Sequence, residues 1–226
     1  FLLPETLPAE RRAPFDPRRT LAIIAGALAR PQFLPFVLVF AAAASAQLVF
    51  GVVAPFFYQT GLGFSAAAYG LIALGLGGVN LAGELSCSHF ARSVAARPLG
   101  FSALVLFVAG ALVLTVTGMT SGLSFGAVTL GGALVLAGCG VLCPMMYGMA
   151  LGLFERDHGV IGGLISAICY LAVSGAMAVA AVLPETTQAP VGWLYLGLSA
   201  LAGVLLALSL PASRPATHDQ RETTTP

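Results

Sequence analysis

The chain contains no lysine. Its ten basic residues are all arginines, and charged residues fill only 8% of its 226 positions. A soluble domain carries about 25%. Without lysine no Gly-rich loop can end in Lys-Ser/Thr, which excludes a nucleotide-driven pump for this chain. The formal net charge is +1, and no basic stripe runs along an amphipathic helix, so no nucleic-acid partner is expected. Histidines number three and cysteines four. Cys139 and Cys143 have no histidine or carboxylate in a plausible ligand set, so no metal site is expected. All four cysteines lie in or at the end of apolar stretches and read as small hydrophobes, not as a disulfide framework. No stretch alternates as a membrane β-strand does. The first thirty residues hold no apolar core of signal-peptide length.

What the chain has is apolar length. It is 58% hydrophobic with a mean hydropathy of +0.94. Uncharged runs cover residues 31–83, 98–154, 159–184 and 186–213. A helix crosses the ~30 Å hydrocarbon layer with about 20 apolar residues. The first two runs hold two spans each and the last two hold one each. The expected fold is all-α and polytopic, with six spans at 33–58, 66–86, 98–118, 125–154, 160–183 and 191–210. The fourth span should be broken at Pro144. Residues 1–31 read as a linker, 32–210 as the six-helix transmembrane domain and 211–226 as a polar tail.

Arginine placement orients these spans. Arg11, Arg12, Arg18, Arg19 and Arg30 precede the first. Arg92 and Arg97 lie between the second and third, Arg156 between the fourth and fifth, and Arg214 and Arg221 in the tail. With six spans all of these fall on one side, and basic residues stay cytoplasmic. Both termini are expected inside.

Residues 33–118 and 125–210 are equally long and hold three spans each. Three spans per unit would invert the second unit relative to the first, a known transporter plan. The third and sixth spans are apolar on every side and are expected to face lipid. The other four carry polar or small stripes: Phe36, Phe40, Gln47 and Gly51; Gly77, Asn80 and Glu84; Cys139, Cys143 and Tyr147; Ser166, Tyr170 and Ser174. Four striped helices would wall a cavity and two would buttress it. The candidate cavity residues are Phe36, Phe40, Gln47, Asn80, Tyr147 and Tyr170. Mid-span Gln47 needs a polar partner on another helix or a wet cavity. Glu84 is the one acid inside a span. Either it reaches headgroups or pairs with Arg92 or Arg97, or it has a coupling or gating role. The Gly148/Gly152 and Gly159/Gly163 pairs read as helix packing.

No catalytic residue is expected. A Ser-His dyad of the rhomboid type needs a histidine in a span after its serine. "AVSG" at 172–175 is followed only by His218. "LPET" occurs at 3–6 and 183–186, but neither copy is followed by the glycine of a sortase signal.

"LPETLPAERR", followed by a basic linker and six spans with both ends inside, resembles the second half of a major facilitator superfamily transporter. "VFGVVAPFFYQTGLGFSAAAYGL" at 49–71 and "CPMMYGMALGLFERDHGVIGGLISAI" at 143–168 are most similar to the Bcr/CflA type of drug:proton antiporter. Ala54 stands where that type has serine, and "GELSCSHFARSV" lacks the aspartate of the loop after the family's eighth helix. The resemblance implies helices seven to twelve of a twelve-helix fold, with the first six helices lying before Phe1. It implies proton-coupled efflux of small amphiphilic compounds across a bacterial inner membrane. The partners would be the lipid bilayer, the small-molecule substrate and the first half. A proton gradient would be required but no bound cofactor. Transport of another solute (a sugar, nucleoside or organic acid) and a non-transporting scaffold or sensor are the alternatives.

Overall fold

The computed structural model describes residues 16–91, 93–184 and 186–210. Among them every regular element is a helix, and six helices are long and apolar enough to cross a membrane. A seventh, shorter helix precedes them. This is α1, Pro17–Leu28, within the stretch read from the sequence as linker. Its start is well specified. Pro17 opens the first turn, where a missing N–H costs nothing. Asp16 caps it by accepting a hydrogen bond from the Arg18 amide at 2.9 Å.

The spans are α2 (Phe33–Pro55), α3 (Ala66–Phe90), α4 (Ala96–Thr120), α5 (Phe125–Gly152), α6 (His158–Ala181) and α7 (Ala189–Ser209). Each expected span corresponds to one of them, with ends shifted by a few residues. The largest shift follows α2. Pro55 has no N–H for the α ladder, and the chain continues as a π-helical turn, Phe56–Gly61, before Gly63 turns it at φ +74°. Pro144 does not break α5, which runs helically through it. Membrane helices tolerate proline where neighbours satisfy the freed backbone group.

Packing follows a simple scheme. α5 packs against α2, α3 and α4, while α2 packs against α5, α6 and α7. α4 and α7 pack against each other. Exchanging α2 with α5, α3 with α6 and α4 with α7 maps this set of partners onto itself. That is the relation expected of two three-helix repeats of opposite topology. The two central helices, α2 and α5, therefore contribute most of the core, and α3 and α6 lie on its flanks.

The all-apolar α4, expected to face lipid, exposes Val105, Leu112, Val116 and Met119 on one side and buries about half of its most apolar stretch against the bundle. It is the small residues of α4 that allow this. A Cβ on Gly110 would stand 2.6 Å from the Gly131 carbonyl, and Gly138 of α5 is equally close to the Ala103 carbonyl. The striped α3 is the least buried span, at 11%. The GxxxG pairs also fail as packing motifs. Gly148, Gly152, Gly159 and Gly163 have open space where a Cβ would be. The close approaches occur at Gly83, Gly110, Gly131, Gly138, Gly140 and Gly192 instead.

α1 is held at the end of the bundle where α5 turns into α6. Arg19 pairs with Asp157 at 3.3 Å. The Arg30 guanidinium donates to the Leu153 carbonyl and lies 4.4 Å from the centre of the Phe154 ring. The arginines of α1 and the 153–158 turn thus share one end of the molecule.

Candidate functional site

The polar stripes converge because of one close crossing. Gly83 of α3 and Gly140 of α5 bring two helix backbones into contact: a Cβ on Gly83 would lie 2.7 Å from the Ala137 carbonyl. Helices that touch at one point diverge on both sides of it. On one side the opening is a cleft of about 200 Å³ lined by Gln47, Phe50, Tyr69, Gly77, Asn80 and Leu136. On the other side it is a cleft of about 450 Å³ between α3, α5 and the start of α4. Glu84, Cys87, Ser88, Leu99, Met145 and Met149 line that second cleft.

Asn80 and Glu84 link the two. They are one turn apart on α3, and the Asn80 amide Nδ2 donates to Glu84 Oε1 at 2.9 Å. Asn80 Oδ1 is buried without a hydrogen-bond partner in the structure and faces Gly140. The carboxylate of Glu84 is exposed on α3. Arg97, offered by the sequence as its partner, lies over the Phe101 ring at 5.8 Å and makes no ion pair with it. Arg92 lies outside the described residues.

Gln47 sits near the middle of α2, half-buried, and accepts a weak hydrogen bond from Cys143 Sγ at 3.9 Å. Cys169 of α6 packs with Ala41 and Phe40 of α2 beside this position. Side chains from α2, α3, α5 and α6 are therefore gathered within one region. Phe40 and Tyr147 extend it: their rings meet edge to face at 5.5 Å, and Tyr147 Oη lies against Gly162 of α6.

The remaining candidates are placed differently. Phe36 is 3% exposed and packs inside the core, lining neither cleft. Tyr170 is 66% exposed on the flank of α6. Ser174, one turn on, turns its hydroxyl back to the Tyr170 carbonyl at 2.7 Å.

Sequence reading missed the aromatic group at the far end of the smaller cleft. Tyr58 donates to or accepts from Thr129 at 2.8 Å and packs against Phe64, Tyr69 and Phe125. The signal is the density of aromatic residues in "PFFYQTGLGF", where a span ends in a turn. The two methionines of the larger cleft were also missed, because Met145 and Met149 carry no pattern beyond a spacing of four. Among the described residues no group of three histidines, cysteines or acids is placed to hold a metal ion.

The arrangement offers hydrogen bonding from Gln47 and Asn80, one negative charge at Glu84 and large apolar walls. It is suited to holding a molecule with a broad apolar surface and few polar groups. Compared with known families and with curated proteins, the chain matches no family model and no curated sequence.

Proposed function

We propose that this chain is a six-helix half of a secondary transporter of the major facilitator type, exporting small amphiphilic compounds in exchange for protons. The observation that carries the reading is the exchange relation between the two three-helix units, which puts the striped helices α2, α3, α5 and α6 side by side. Transporters built from inverted repeats bind their substrates near the bilayer midplane, at the interface of the repeats. Gln47, Asn80, Phe40 and Tyr147 would contribute one wall of that cavity, with the opposite wall supplied by another six-helix unit. The exposed flanks of α3 and α6, bearing Leu71, Leu74, Tyr170 and Leu171, are the surfaces such a unit would cover. Arg97, in the first turn of α4, is the one arginine within the six described spans, and the absence of arginine from their interiors favours neutral or cationic substrates over anions. Both chain ends would face the cytoplasm of a bacterial cell, across its inner membrane.

The test is efflux of a panel of amphiphilic dyes from cells. The chain should be expressed alone and together with any coding region lying upstream in frame. Export that needs both parts and stops with a proton uncoupler is the expected result. Unchanged dye retention in every combination would refute the transport reading.

A further inference from the structure

We infer that α1 is a strap, pivoting at Arg30 and latched by Arg19 on Asp157, which ionic strength moves between a docked and a released position. The two arginines hold the α5–α6 turn in different ways. Arg30 lies two residues beyond the end of α1, where the chain turns into α2. Its guanidinium grips the Leu153 carbonyl and the Phe154 ring, and Phe33 of α2 meets the same ring edge to face at 5.6 Å. These partners carry no net charge, so salt acts weakly on the pivot. Arg19, in the first turn of α1, meets the Asp157 carboxylate at 3.3 Å, with 61% and 34% of the two side chains exposed. An exposed ion pair of this kind is weak and yields to salt.

Asp157 has a second use. It is the N-cap residue of α6, yet its side chain makes no capping bond. Asp16 and Ser65, at the same position of α1 and α3, do cap. Asp157 is also the one non-glycine residue among those described with a positive φ, +61°, whereas a capping residue is ordinarily extended. Aspartate tolerates that region, but such a conformation persists only where the surrounding contacts hold it. Pairing with Arg19 and capping α6 are thus alternative uses of one carboxylate, and the backbone is set for the first. The apolar contacts of α1 do not decide between them. Ile23 and Ala27 turn toward the bundle, but in a bilayer they exchange it for acyl chains that are equally apolar. The polar latch is what separates the two positions. Release frees the start of α6, one of the striped helices, from the segment before α2. The device operates whether or not the chain transports anything.

The experiment uses the full chain in nanodiscs of phosphatidylcholine, a lipid without net charge. It measures the distance between spin labels at Gly26 of α1 and Gly163 of α6. A side chain at either position meets open space, and labels carried on non-natural residues leave the native cysteines in place. Salt is raised from about 10 mM to about 1 M, which shortens the screening length from about 30 Å to about 3 Å. The native chain should show a docked distance and a longer one. The ratio of long to docked should rise about two- to fivefold with salt, the worth of an exposed pair. Arg19→Ala and Asp157→Asn should show the high-salt ratio at both salts. Arg19→Lys, which keeps the charge, should keep the salt response. Hydrogen exchange separates release from mere loosening. A released Asp157 turns to cap α6, so exchange at the Gly159 and Val160 amides should slow in Arg19→Ala. Asp157→Gly, which can neither pair nor cap, should release α1 without that slowing. A single distance unchanged by salt in the native chain would overturn the inference. So would an Arg19→Ala ratio that still follows salt, or faster exchange at those two amides in Arg19→Ala.

Discussion

Gly83 and Gly140 hold the backbones of α3 and α5 in direct contact. A Cβ added at Gly140 would stand 2.5 Å from the Asn80 carbonyl, and one at Gly83 2.7 Å from the Ala137 carbonyl. Neither obstacle is a flexible side chain that could step aside. Gly83→Val and Gly140→Val should each destabilise the bundle by about 1–3 kcal/mol through overpacking. Gly148→Ala and Gly152→Ala meet open space and should unfold in detergent close to the native temperature. A thermal melt of the four purified variants checks the contrast, and equal losses in all four would contradict the assigned crossing.

Two buried polar side chains anchor α7. Tyr195 is fully buried and donates its hydroxyl to the Ala46 carbonyl of α2 at 2.9 Å. Gln188, equally buried, donates from Nε2 to Thr117 Oγ1 at 3.1 Å and to the Gly122 carbonyl at 3.0 Å. Tyr195→Phe should cost about 1 kcal/mol, the net worth of one hydrogen bond. Gln188→Leu should cost more, about 1–3 kcal/mol, because it removes two hydrogen bonds and strands the Gly122 carbonyl. Chemical-denaturant titrations in mild detergent would rank the two, and a native-like Gln188→Leu would show that the turn around Gly122 is held by other contacts.

The number of spans was legible because hydrophobic length is a property of the chain itself. What each span packs against was not. α4 and α7 are apolar on every side, so no stripe marks the face that enters the core. The decisive feature is where a glycine meets a backbone, and twenty-seven glycines offer too many choices. Gly148 and Gly152 have the right spacing and no neighbour; Gly83 and Gly140 have no shared motif and are in contact. The polar candidates were easier, because an amide or an acid in a long apolar run stands out. The cleft regions hold Gln47, Asn80 and Glu84, and Phe40 with Tyr147 borders them. Phe36, chosen for its spacing alone, is core. The helix α1 was missed because its arginines suggested a linker, although Asp16 and Pro17 are an ordinary helix-start signal.

α1 presents Leu21 and Leu28 outward on one face, while Ile23 and Ala27 turn toward the bundle. An amphipathic helix with an exposed apolar face beside arginines lies in the membrane interface. Spin labels at Leu21 and Leu28 should therefore be relaxed by oxygen dissolved in lipid. A label at Arg19, on the opposite side of the helix from Leu21, should respond to a water-soluble relaxer. Uniform exposure to water would place α1 off the membrane. The Arg19–Asp157 pair is a weak tether: one partner is 61% exposed, so Arg19→Ala should cost under about 1 kcal/mol.

Orientation has its own test. The turn after α6 should lie outside the cytoplasm if the arginine-bearing end is inside. A reporter active only outside, fused after Thr187, should give signal, and the same reporter fused after Arg214 should not. The reverse pattern would invert the proposed topology.

Gln47 decides whether the smaller cleft recognises substrate. Its side chain lines that cleft with Phe50, Tyr69 and Asn80. Its contact with Cys143 is long, at 3.9 Å to sulfur, and a thiol is a weak donor. The amide is therefore poorly tied to the protein, which leaves its hydrogen-bonding capacity for a ligand. Gln47→Leu keeps the volume and removes that capacity. If the amide contacts substrate, affinities should change unevenly across an amphiphile panel. Compounds that hydrogen-bond to it should lose about 1 kcal/mol, roughly fivefold in affinity. Compounds lacking a matching polar group should be unaffected or bind more tightly. If Gln47 instead ties α2 to α5, the same change should lower the melting temperature and weaken every compound alike. Cys143→Ala separates the cases further, since removing so weak a donor should leave both stability and the affinity pattern near native. A uniform loss across the panel, together with a lower melting temperature for Gln47→Leu, would reduce Gln47 to a packing residue.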